Sequence, residues 1–371
     1  MKVTCQRDAL LTACQLVTAA VAARTTKPIL SNIKAIAQDD ALTLMATDLE
    51  VGIRYELRGA RVGRAGAAIL PPVRLASILK ETTDAEITID AGEETTLIRL
   101  STGRFELPNG SPDEFPDIPS FDNSGNYHEI TAGVLRTMIK RTAFAADKKE
   151  STRFAVTGVL WEAEEGKARL VATDTKRLAL CEGKADVHGA VDPKGQSHLV
   201  PLKTVQLLER NLTDDGEIVR IVLKPNEAMF QTERALIHTR LVEGRFPPYR
   251  NIIPKKLDVK LPVAVADLLA RVRQAAIMVD EETKRVDFHF EPGKVTLTAR
   301  GQDVGSSEVT MALPDYQGAE VDIAFDPSYL VEMLRAIEGE PTAVLEMTDG
   351  TRPALFRVGE SYLYLVMPLA G

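Results

Sequence analysis

The side chains that could do chemistry are scattered along the chain rather than grouped. The spacing of the five histidines would not bring three ligands to one metal ion. These histidines are His128, His188, His198, His238 and His289. The sequence also lacks G-x-x-x-x-G-K-[ST], G-x-G-x-x-G, H-E-x-x-H and G-x-S-x-G, which bind phosphates or place a hydrolytic metal or nucleophile. The sequence therefore predicts no catalytic residue, no cofactor and no metal. An uncharacterised hydrolase is the enzymatic alternative.

One Thr-Asp pair could suggest a catalytic acid. Thr173-Asp174 ends an apolar run, where an exposed acid could act in catalysis. Thr47-Asp48 repeats the pair 126 residues earlier, also after an apolar run. Thr and Asp at the end of a strand are typical of turns in which the side chain bonds to nearby backbone N–H groups. The repetition favours turn chemistry over catalysis.

Cysteine content and hydropathy bear on the compartment. Cys5, Cys14 and Cys181 are odd in number and lack C-x-x-C spacing, which favours buried thiols in a reducing compartment. The N-terminal residues alternate in polarity and lack the apolar core of a signal peptide. No stretch approaches the roughly 20 apolar residues that a membrane span needs. The prediction is a cytoplasmic protein with no membrane partner.

An internal repeat organises the chain. Extended runs precede amphipathic helical runs at six places, and in three of them Pro stands near the helix start, where its missing N–H costs nothing. Three further strands end at Thr47, Thr173 and Ala299, which are 126 residues apart at both steps. Pro- and Gly-rich segments separate the repeats. The predicted fold is α+β, with three domains that each contain two modules of a helix on an antiparallel sheet; the domains are residues 1–122, 127–250 and 257–371.

Charge is distributed unevenly between the elements. The chain has 45 basic and 53 acidic residues and a net charge of −8, which taken alone disfavours nucleic-acid binding. The predicted helices (residues 7–24, 73–81, 131–143, 202–212, 263–276 and 327–338) nevertheless carry twelve Lys/Arg and six Asp/Glu. One interpretation is that helix surfaces simply favour Lys and Arg. The other is that the repeated helices turn a cationic face toward a polyanion, while the acidic remainder discourages non-specific contact.

Several segments resemble the bacterial DNA polymerase III beta subunit, the sliding clamp family. Residues 24–32 (RTTKPILSN) are similar to the family's R-x-x-x-P-I-L-x-N, and residues 47–50 (TDLE) to its T-D-L-E. Residues 171–179 (VATDTKRLA), 241–249 (LVEGRFPPY), Arg352-Pro353 and 362–369 (YLYLVMPL) resemble three later family segments. The resemblance spans the chain in register. It implies a non-enzymatic homodimeric ring of similar modules, with helices lining a hole for duplex DNA.

The resemblance and the helix positions together predict the DNA-contacting residues. The resemblance carries over to Arg24, Arg74, Lys203 and the segment Lys148-Lys149-Glu150 with Arg153. Positions on the helices add Arg136, Lys140, Arg141, Arg271 and Arg273. Contacts should be to phosphates, since sliding requires that no base be read. The alternative for each residue is an ordinary solvated charge.

The resemblance also implies a peptide-binding pocket for short segments of the replicative polymerase, the clamp loader and other polymerases and repair proteins. Pro and aliphatic side chains would form an apolar cleft for Leu or Phe anchors, binding on the order of micromolar. The pocket residues are Val156, Thr173, Thr175, Lys176, Arg177, Leu178, Pro247, Asn251, Ile252, Pro353, Leu365, Val366, Met367, Pro368 and Leu369. The alternative for Leu365 and Val366 is a terminal strand that faces the core.

The predicted dimer joins the first domain of one chain to the third domain of the other. Phe105 and Leu107 would meet Ile277 and Met278, flanked by Arg74 and Arg104. Such a heterologous contact used twice closes a ring. The alternative for Phe105 is a place in the core of its own domain. A second functional alternative is a clamp-like binding module without DNA tethering, supported by Glu150 and by the Ala370-Gly371 ending.

Overall fold

The architecture is helices packed on antiparallel sheets, which confirms the predicted α+β class. A computed structural model describes residues 1–121, 125–147, 155–189, 198–280, 282–302 and 305–370. The chain divides into two compact units. The first unit contains Met1–Val134 and Ala185–Leu241, and the second contains Leu135–Lys184 and Val242–Gly371.

Each of the six predicted helices is present in the described part of the chain. They are α1 (Arg7–Thr18), α2 (Pro72–Glu81), α3 (Ala132–Thr142), α4 (Leu202–Asn211), α5 (Val265–Ala275) and α6 (Pro327–Ala336). The prediction was wrong at the end of α1, which stops at Thr18 rather than at residue 24. The Thr18 hydroxyl donates to the Cys14 carbonyl at 2.5 Å, and the Ala22 N–H bonds to Leu30 instead of continuing the helix.

Most of the remaining regular structure is strand. In chain order the strands are β1 (Lys2–Gln6), β2 (Ile33–Gln38), β3 (Ala41–Thr47), β4 (Val51–Arg58), β5 (Arg61–Arg64), β6 (Gly66–Leu70), β7 (Glu86–Ala91), β8 (Thr95–Arg99), β9 (Arg104–Pro108), β10 (Tyr127–Thr131), β11 (Gly158–Glu164), β12 (Lys167–Thr173), β13 (Arg177–Lys184), β14 (Asp186–His188), β15 (His198–Pro201), β16 (Ile218–Leu223), β17 (Glu227–Gln231), β18 (Ala235–Arg240), β19 (Val259–Ala264), β20 (Val286–Glu291), β21 (Gly293–Gly301), β22 (Gly305–Leu313), β23 (Val321–Phe325), β24 (Thr342–Met347), β25 (Ala354–Val358) and β26 (Tyr362–Val366). A strand directly precedes every helix, as the repeat predicted: β1, β6, β10, β15, β19 and β23.

The first unit contains two antiparallel sheets. One has the order β5-β1-β7-β8-β9, which leaves β9 at an edge. The other has the order β14-β10-β16-β17-β18-β4-β3-β2-β6. In this second sheet β18 pairs with β4, from Ala235 opposite Tyr55 to Thr239 opposite Val51. The sheet is therefore continuous between strands of the first and second sequence repeats.

The second unit repeats this arrangement. Its larger sheet contains the consecutive strands β11-β12-β13-β26-β25-β24-β19, and β13 pairs with β26 where the second and third repeats meet. Its smaller sheet has the order β22-β21-β20-β23, so β22 is an edge strand. The same design thus joins successive repeats in both units.

The helices are held by their apolar faces. On α1, Leu10, Cys14 and Val17 are fully buried and spaced to face one side of the helix. The helix packs against α2 and against β3 and β4 in the first unit, and α5 packs likewise against α6 in the second. Burying one such aliphatic side chain contributes about 1.5–3 kcal/mol, so packing rather than helix propensity fixes these short helices.

Candidate functional site

The helices carry a positive surface in an acidic chain. The observed helices hold eleven Lys/Arg and five Asp/Glu, whereas the whole chain has a net charge of −8. On α2, Leu75 and Leu79 are buried while Arg74 and Lys80 are exposed, so the cations lie outside the packed face. Of the residues predicted to contact DNA, those exposed on helices are Arg74, Lys140, Lys203 and Arg273, and those partly exposed are Arg136 and Arg271.

Arg24 and Lys203 border one cleft of the first unit. Arg24 is exposed in the loop after α1, and Lys203 lies on α4. Both line an open cleft of about 410 Å³ that also contains Asp48. The Lys203 ammonium forms an ion pair with the Asp48 carboxylate. Because half of the Lys203 side chain is exposed, the ammonium stays accessible to another anion.

Arg141 departs from the predicted set. Its side chain is only 12% exposed, and its guanidinium pairs with Glu340 and lies 5.6 Å from the centre of the Tyr362 ring. A guanidinium committed to a partly buried carboxylate is a structural contact, so this position does not suit a phosphate contact. The predicted contacts at Lys148, Lys149 and Arg153, and the departure at Glu150, lie outside the described residues.

The Thr-Asp pairs form the same turn twice. Thr47 donates from its hydroxyl to the Val51 carbonyl at 2.9 Å, and the Asp48 carboxylate accepts the Val51 N–H at 2.8 Å. Thr173 donates to the Arg177 carbonyl at 2.5 Å, and Asp174 accepts the Arg177 N–H at 3.0 Å. The predicted turn chemistry is confirmed. These carboxylates stabilise strand connections and are already engaged by backbone donors.

The residues predicted for the peptide pocket lie in the second unit and differ sharply in exposure. Those that are buried are Val156, Thr173, Arg177, Leu178, Leu365 and Val366. In the sheet, Leu178 faces Leu365 and Arg177 faces Val366. Leu178 is 0% exposed, so it packs beneath any site and is not itself accessible to a ligand. The alternative of a terminal strand facing the core is thus correct for Leu365 and Val366.

The accessible members of the set lie on four segments of the chain. The exposed ones are Thr175, Lys176, Asn251, Ile252 and Met367, and the partly exposed ones are Pro247, Pro353, Pro368 and Leu369. Met367, 41% exposed, donates its N–H to the Lys176 carbonyl at 2.9 Å, which joins the end of β26 to the Thr173 turn. The Leu369 N–H bonds to Ala324 at 2.8 Å, and Arg285 donates to the Ala370 carbonyl at 2.8 Å. The C-terminal segment is therefore fixed in place.

Arg177 anchors the turn rather than facing solvent. Its guanidinium donates to Asp174 at 2.9 Å and to the Phe144 carbonyl at 2.9 Å, and it pairs with Glu332. It also lies 4.4 Å from the centre of the Tyr329 ring. Although burial opposes it, the interactions with Tyr364, Glu332 and Asp174 raise the pKa of Arg177, so its charge is permanent. The residue holds the Thr173 turn against α6.

The predicted dimer residues lie on sheet edges and helix ends. Phe105 on the edge strand β9 is 45% exposed, which excludes the alternative of a core position, and Ile277 after α5 is 68% exposed. Leu107 is buried, Met278 is partly exposed, and Arg74 and Arg104 are exposed. Val73, 72% exposed on α2 beside Arg74, is a further exposed apolar residue that the sequence did not single out. The sequence does indicate this exposure, because Val73 is an aliphatic residue that does not fit the spacing of the buried residues of α2.

The described residues give no support to a metal site or a reactive thiol. They contain no group of three or more His, Cys, Asp or Glu side chains placed to hold a metal ion. All three cysteines are buried and free. Burial raises the pKa of Cys5 to about 12 and that of both Cys14 and Cys181 to about 11, so the thiols stay protonated. None of the helices in the described ranges is both long enough and apolar enough to span a membrane.

Comparison with known proteins gives one consistent family. Three domain models of the DNA polymerase III beta subunit match the chain: the N-terminal domain at residues 1–119, the central domain at 129–248 and the C-terminal domain at 250–370. The beta sliding clamp of Chlamydia pneumoniae is 31% identical over 374 residues, covering 100% of this chain and 99% of the relative. That of Caulobacter vibrioides is 33% identical over 379 residues, with both chains fully covered.

A solved structure agrees with these relatives. A sliding clamp from Pseudomonas aeruginosa, the DNA polymerase III subunit beta bound to griselimycin, superposes with a TM-score of 0.90. It is 29% identical in sequence, and the match covers 100% of each chain.

Proposed function

The chain belongs to the DNA polymerase III beta subunit family and is a DNA sliding clamp, and from that premise we propose that two copies close into a ring around duplex DNA. As a clamp it is a processivity factor for the replicative polymerase rather than an enzyme. The observation that carries the proposal is the net positive charge of the helices inside a chain of net charge −8.

The helices act as a weak electrostatic guide for the duplex. Long cationic side chains contact phosphates through flexible or water-mediated bonds, which differ little from one base pair to the next. The acidic remainder of the chain repels DNA elsewhere. The proposed contact residues on helices are Arg74, Arg136, Lys140, Lys203, Arg271 and Arg273, with Arg24 in its loop and Lys148, Lys149 and Arg153 by resemblance. Arg141 is left out because Glu340 and Tyr362 already engage it.

The ring closes by pairing unlike ends of two chains. The edge strand β9, with exposed Phe105, meets the region of Ile277 and Met278 beside the edge strand β22 of the other chain. Edge strands with exposed apolar residues are prone to pair, and a head-to-tail contact used twice leaves neither edge open. Arg74 and Arg104 flank this contact, and Val73 extends its apolar part.

Partners dock in the cleft predicted for short linear segments. Met367 and Ile252 supply exposed apolar surface, while Pro247, Pro353, Pro368 and Leu369 supply its partly exposed border. Leu and Phe side chains of a flexible segment suit such a surface. The proposed occupants are segments of the polymerase catalytic subunit, the clamp loader, and other polymerases and repair proteins.

We also propose the domain ranges 1–122, 127–250 and 257–371 and a location in the cytoplasm, which the free and buried cysteines support.

The experiment that tests the ring is retention of the loaded protein on circular DNA and its release when the circle is cut. A linked ring leaves only when an end is available, whereas a surface-bound protein leaves both DNAs alike.

A further inference from the structure

A group of polar and charged residues joins the larger sheet of the second unit to the segment at the end of the central repeat. Glu162 on β11 lies at its centre. Its carboxylate accepts the Tyr249 hydroxyl at 2.8 Å, the Arg169 guanidinium at 2.9 Å, and two bonds from Arg250 at 2.7 and 3.0 Å. We call these four residues, Glu162, Arg169, Tyr249 and Arg250, the Glu162 cluster. None of them was assigned a role from the sequence.

Three of the four residues are sheltered from water, which strengthens their contacts, whereas the Arg250 side chain is 58% exposed. The exposed fraction of the side chain is 19% for Glu162 and 11% for Arg169, and Tyr249 is 3% exposed as a residue. Burial opposes ionisation of Glu162, but hydrogen bonds from Arg169, Tyr249 and Arg250 hold its pKa below the usual value. Burial and the bond to Glu162 raise the pKa of Tyr249, so its hydroxyl stays a donor. A carboxylate that binds three donors fixes all of them in one geometry.

The segment that contains Tyr249 and Arg250 has a buried side and an exposed side. Tyr249 and Phe246 are buried, with their rings 6.3 Å apart and edge to face, and the Arg245 carbonyl accepts the Ala155 N–H at 3.2 Å. The Arg250 guanidinium lies 4.7 Å from the centre of the Tyr249 ring. Asn251 and Ile252 follow directly and are exposed. Fixing Tyr249 and Arg250 therefore fixes the backbone that presents Ile252.

We propose that Glu162 is a positioning residue for the peptide-binding cleft: through Tyr249 and Arg250 it holds the wall that carries Pro247, Asn251 and Ile252. This inference rests on the proposed function of that cleft. Glu162 does not touch the bound peptide. Without its carboxylate, the wall loses the side-chain bonds that tie Tyr249 and Arg250 to β11. A bound segment must then order the wall at a cost to affinity.

A purely structural role is the rival explanation, because cross-strand ion pairs also stabilise sheets. Arg169 bonds to Glu182 on β13 at 2.6 Å, so the cluster does link strands as well. Glu346 on β24 offers a matched comparison. It is buried, it pairs with Lys260 at 2.8 Å and with Arg357 at 3.0 Å, and it lies in the same sheet without a described bond to the segment of Tyr249.

The test measures binding of a fluorescent synthetic peptide with Leu and Phe anchors to the full-length protein and to its Glu162→Gln, Tyr249→Phe and Glu346→Gln variants. Melting temperature is measured in parallel. Glu162→Gln should weaken peptide binding about tenfold, which is about 1.4 kcal/mol. Glu346→Gln should lower the melting temperature to a similar extent and leave peptide affinity unchanged. Because Tyr249 acts through Glu162, the double variant Glu162→Gln/Tyr249→Phe should bind the peptide no more weakly than Glu162→Gln alone.

The outcomes separate this inference from the proposed function. If the wild type binds the peptide, Met367→Lys abolishes binding, and Glu162→Gln binds like the wild type, the positioning role is overturned while the cleft stands. Equal losses of affinity in Glu162→Gln and Glu346→Gln also overturn it, because they would follow from stability alone. If the wild type does not bind the peptide, or Met367→Lys binds normally, the proposed cleft itself fails.

Discussion

Leu49 and Thr175, 126 residues apart, adopt the same left-handed backbone conformation, with φ of 79° and 75°. Each is the central residue of a turn between two antiparallel strands in which Thr and Asp side chains bond to the same backbone positions. This conformation is unfavourable for a β-branched residue such as Thr175. The side-chain bonds of each turn stabilise it, and the duplicated turn is direct structural support for the internal repeat.

The two turns should differ in their contribution to stability. Asp174 binds two backbone N–H groups and the Nε of the 7%-exposed Arg177, whereas Asp48 binds two N–H groups and the half-exposed Lys203. Asp174→Ala should therefore lower the apparent free energy of unfolding by about 3 kcal/mol, the scale for breaking a buried pair. Asp48→Ala should cost about 1 kcal/mol. Urea unfolding of both variants measures this, and equal losses would argue against Arg177 as the anchor.

The stability contributed by Glu162 should depend on pH in a defined window. Its pKa lies below the ordinary value of 4.5 in the folded protein, because donors from Arg169, Tyr249 and Arg250 outweigh the opposing effect of burial. The contribution is fully present above the unfolded pKa and is lost as pH falls through the lower folded pKa. The melting temperatures of wild type and Glu162→Gln should thus differ by a constant amount from about pH 8 to 5.5 and converge below about 4.5. Convergence already near neutral pH would contradict this account.

Dimerisation should depend on the exposed apolar residues at the two predicted ends. Phe105→Arg and Ile277→Arg each place a charge at a surface that the proposed ring buries, so each should give a monomer of 40.5 kDa where the wild type has twice that mass. Light scattering at micromolar concentration measures the mass. Leu49→Arg is the matched control, since Leu49 is as exposed as Phe105, at 45%, but lies between β3 and β4, in a different sheet from β9. A dimeric Phe105→Arg variant would place the interface elsewhere.

Partner binding should depend on Met367. Met367→Lys changes a side chain that is 41% exposed, so it should abolish binding of a peptide with Leu and Phe anchors while the dimer persists. Val344→Lys, at 38% exposure on β24, is the control and should bind normally. Leu178 is unsuitable for this test because a charge at a fully buried position would unfold the sheet. Normal binding by Met367→Lys would exclude the cleft.

Local patterns were enough to predict much of the fold. The spacing of Leu10, Cys14 and Val17 identifies α1, and Pro327 after Asp326 marks the start of α6, where the Asp326 carboxylate accepts the Ser328 N–H at 2.9 Å. Periodicity and helix starts are encoded by neighbouring residues, so a sequence displays them. The end of α1 was missed because the N–H groups of Ala19, Ala20 and Val21 bond to carbonyls three residues back, and no Gly or Pro marks that change in the sequence.

The roles of single charges could be predicted only in part. Arg141 and Glu340 are 199 residues apart, and Arg250 and Glu162 are 88 apart, so no local pattern indicates that they pair. Which charges on a helix are free depends on sheet register and on how loops return to the sheet. The net positive charge of the helices can be counted from the sequence, whereas the pairing of Arg141 with Glu340 is seen only in the folded structure.

Retention on DNA of defined topology tests the encircling ring most directly. Labelled protein is loaded onto nicked circular DNA with the clamp loader and ATP, the salt is raised from about 50 to 200 mM, and half of the sample is then cut at one site. The account predicts that the protein stays on the circle at both salt concentrations and leaves after cutting, because linkage rather than ionic attraction holds it. Equal loss from circular and linear DNA as salt rises would contradict the ring.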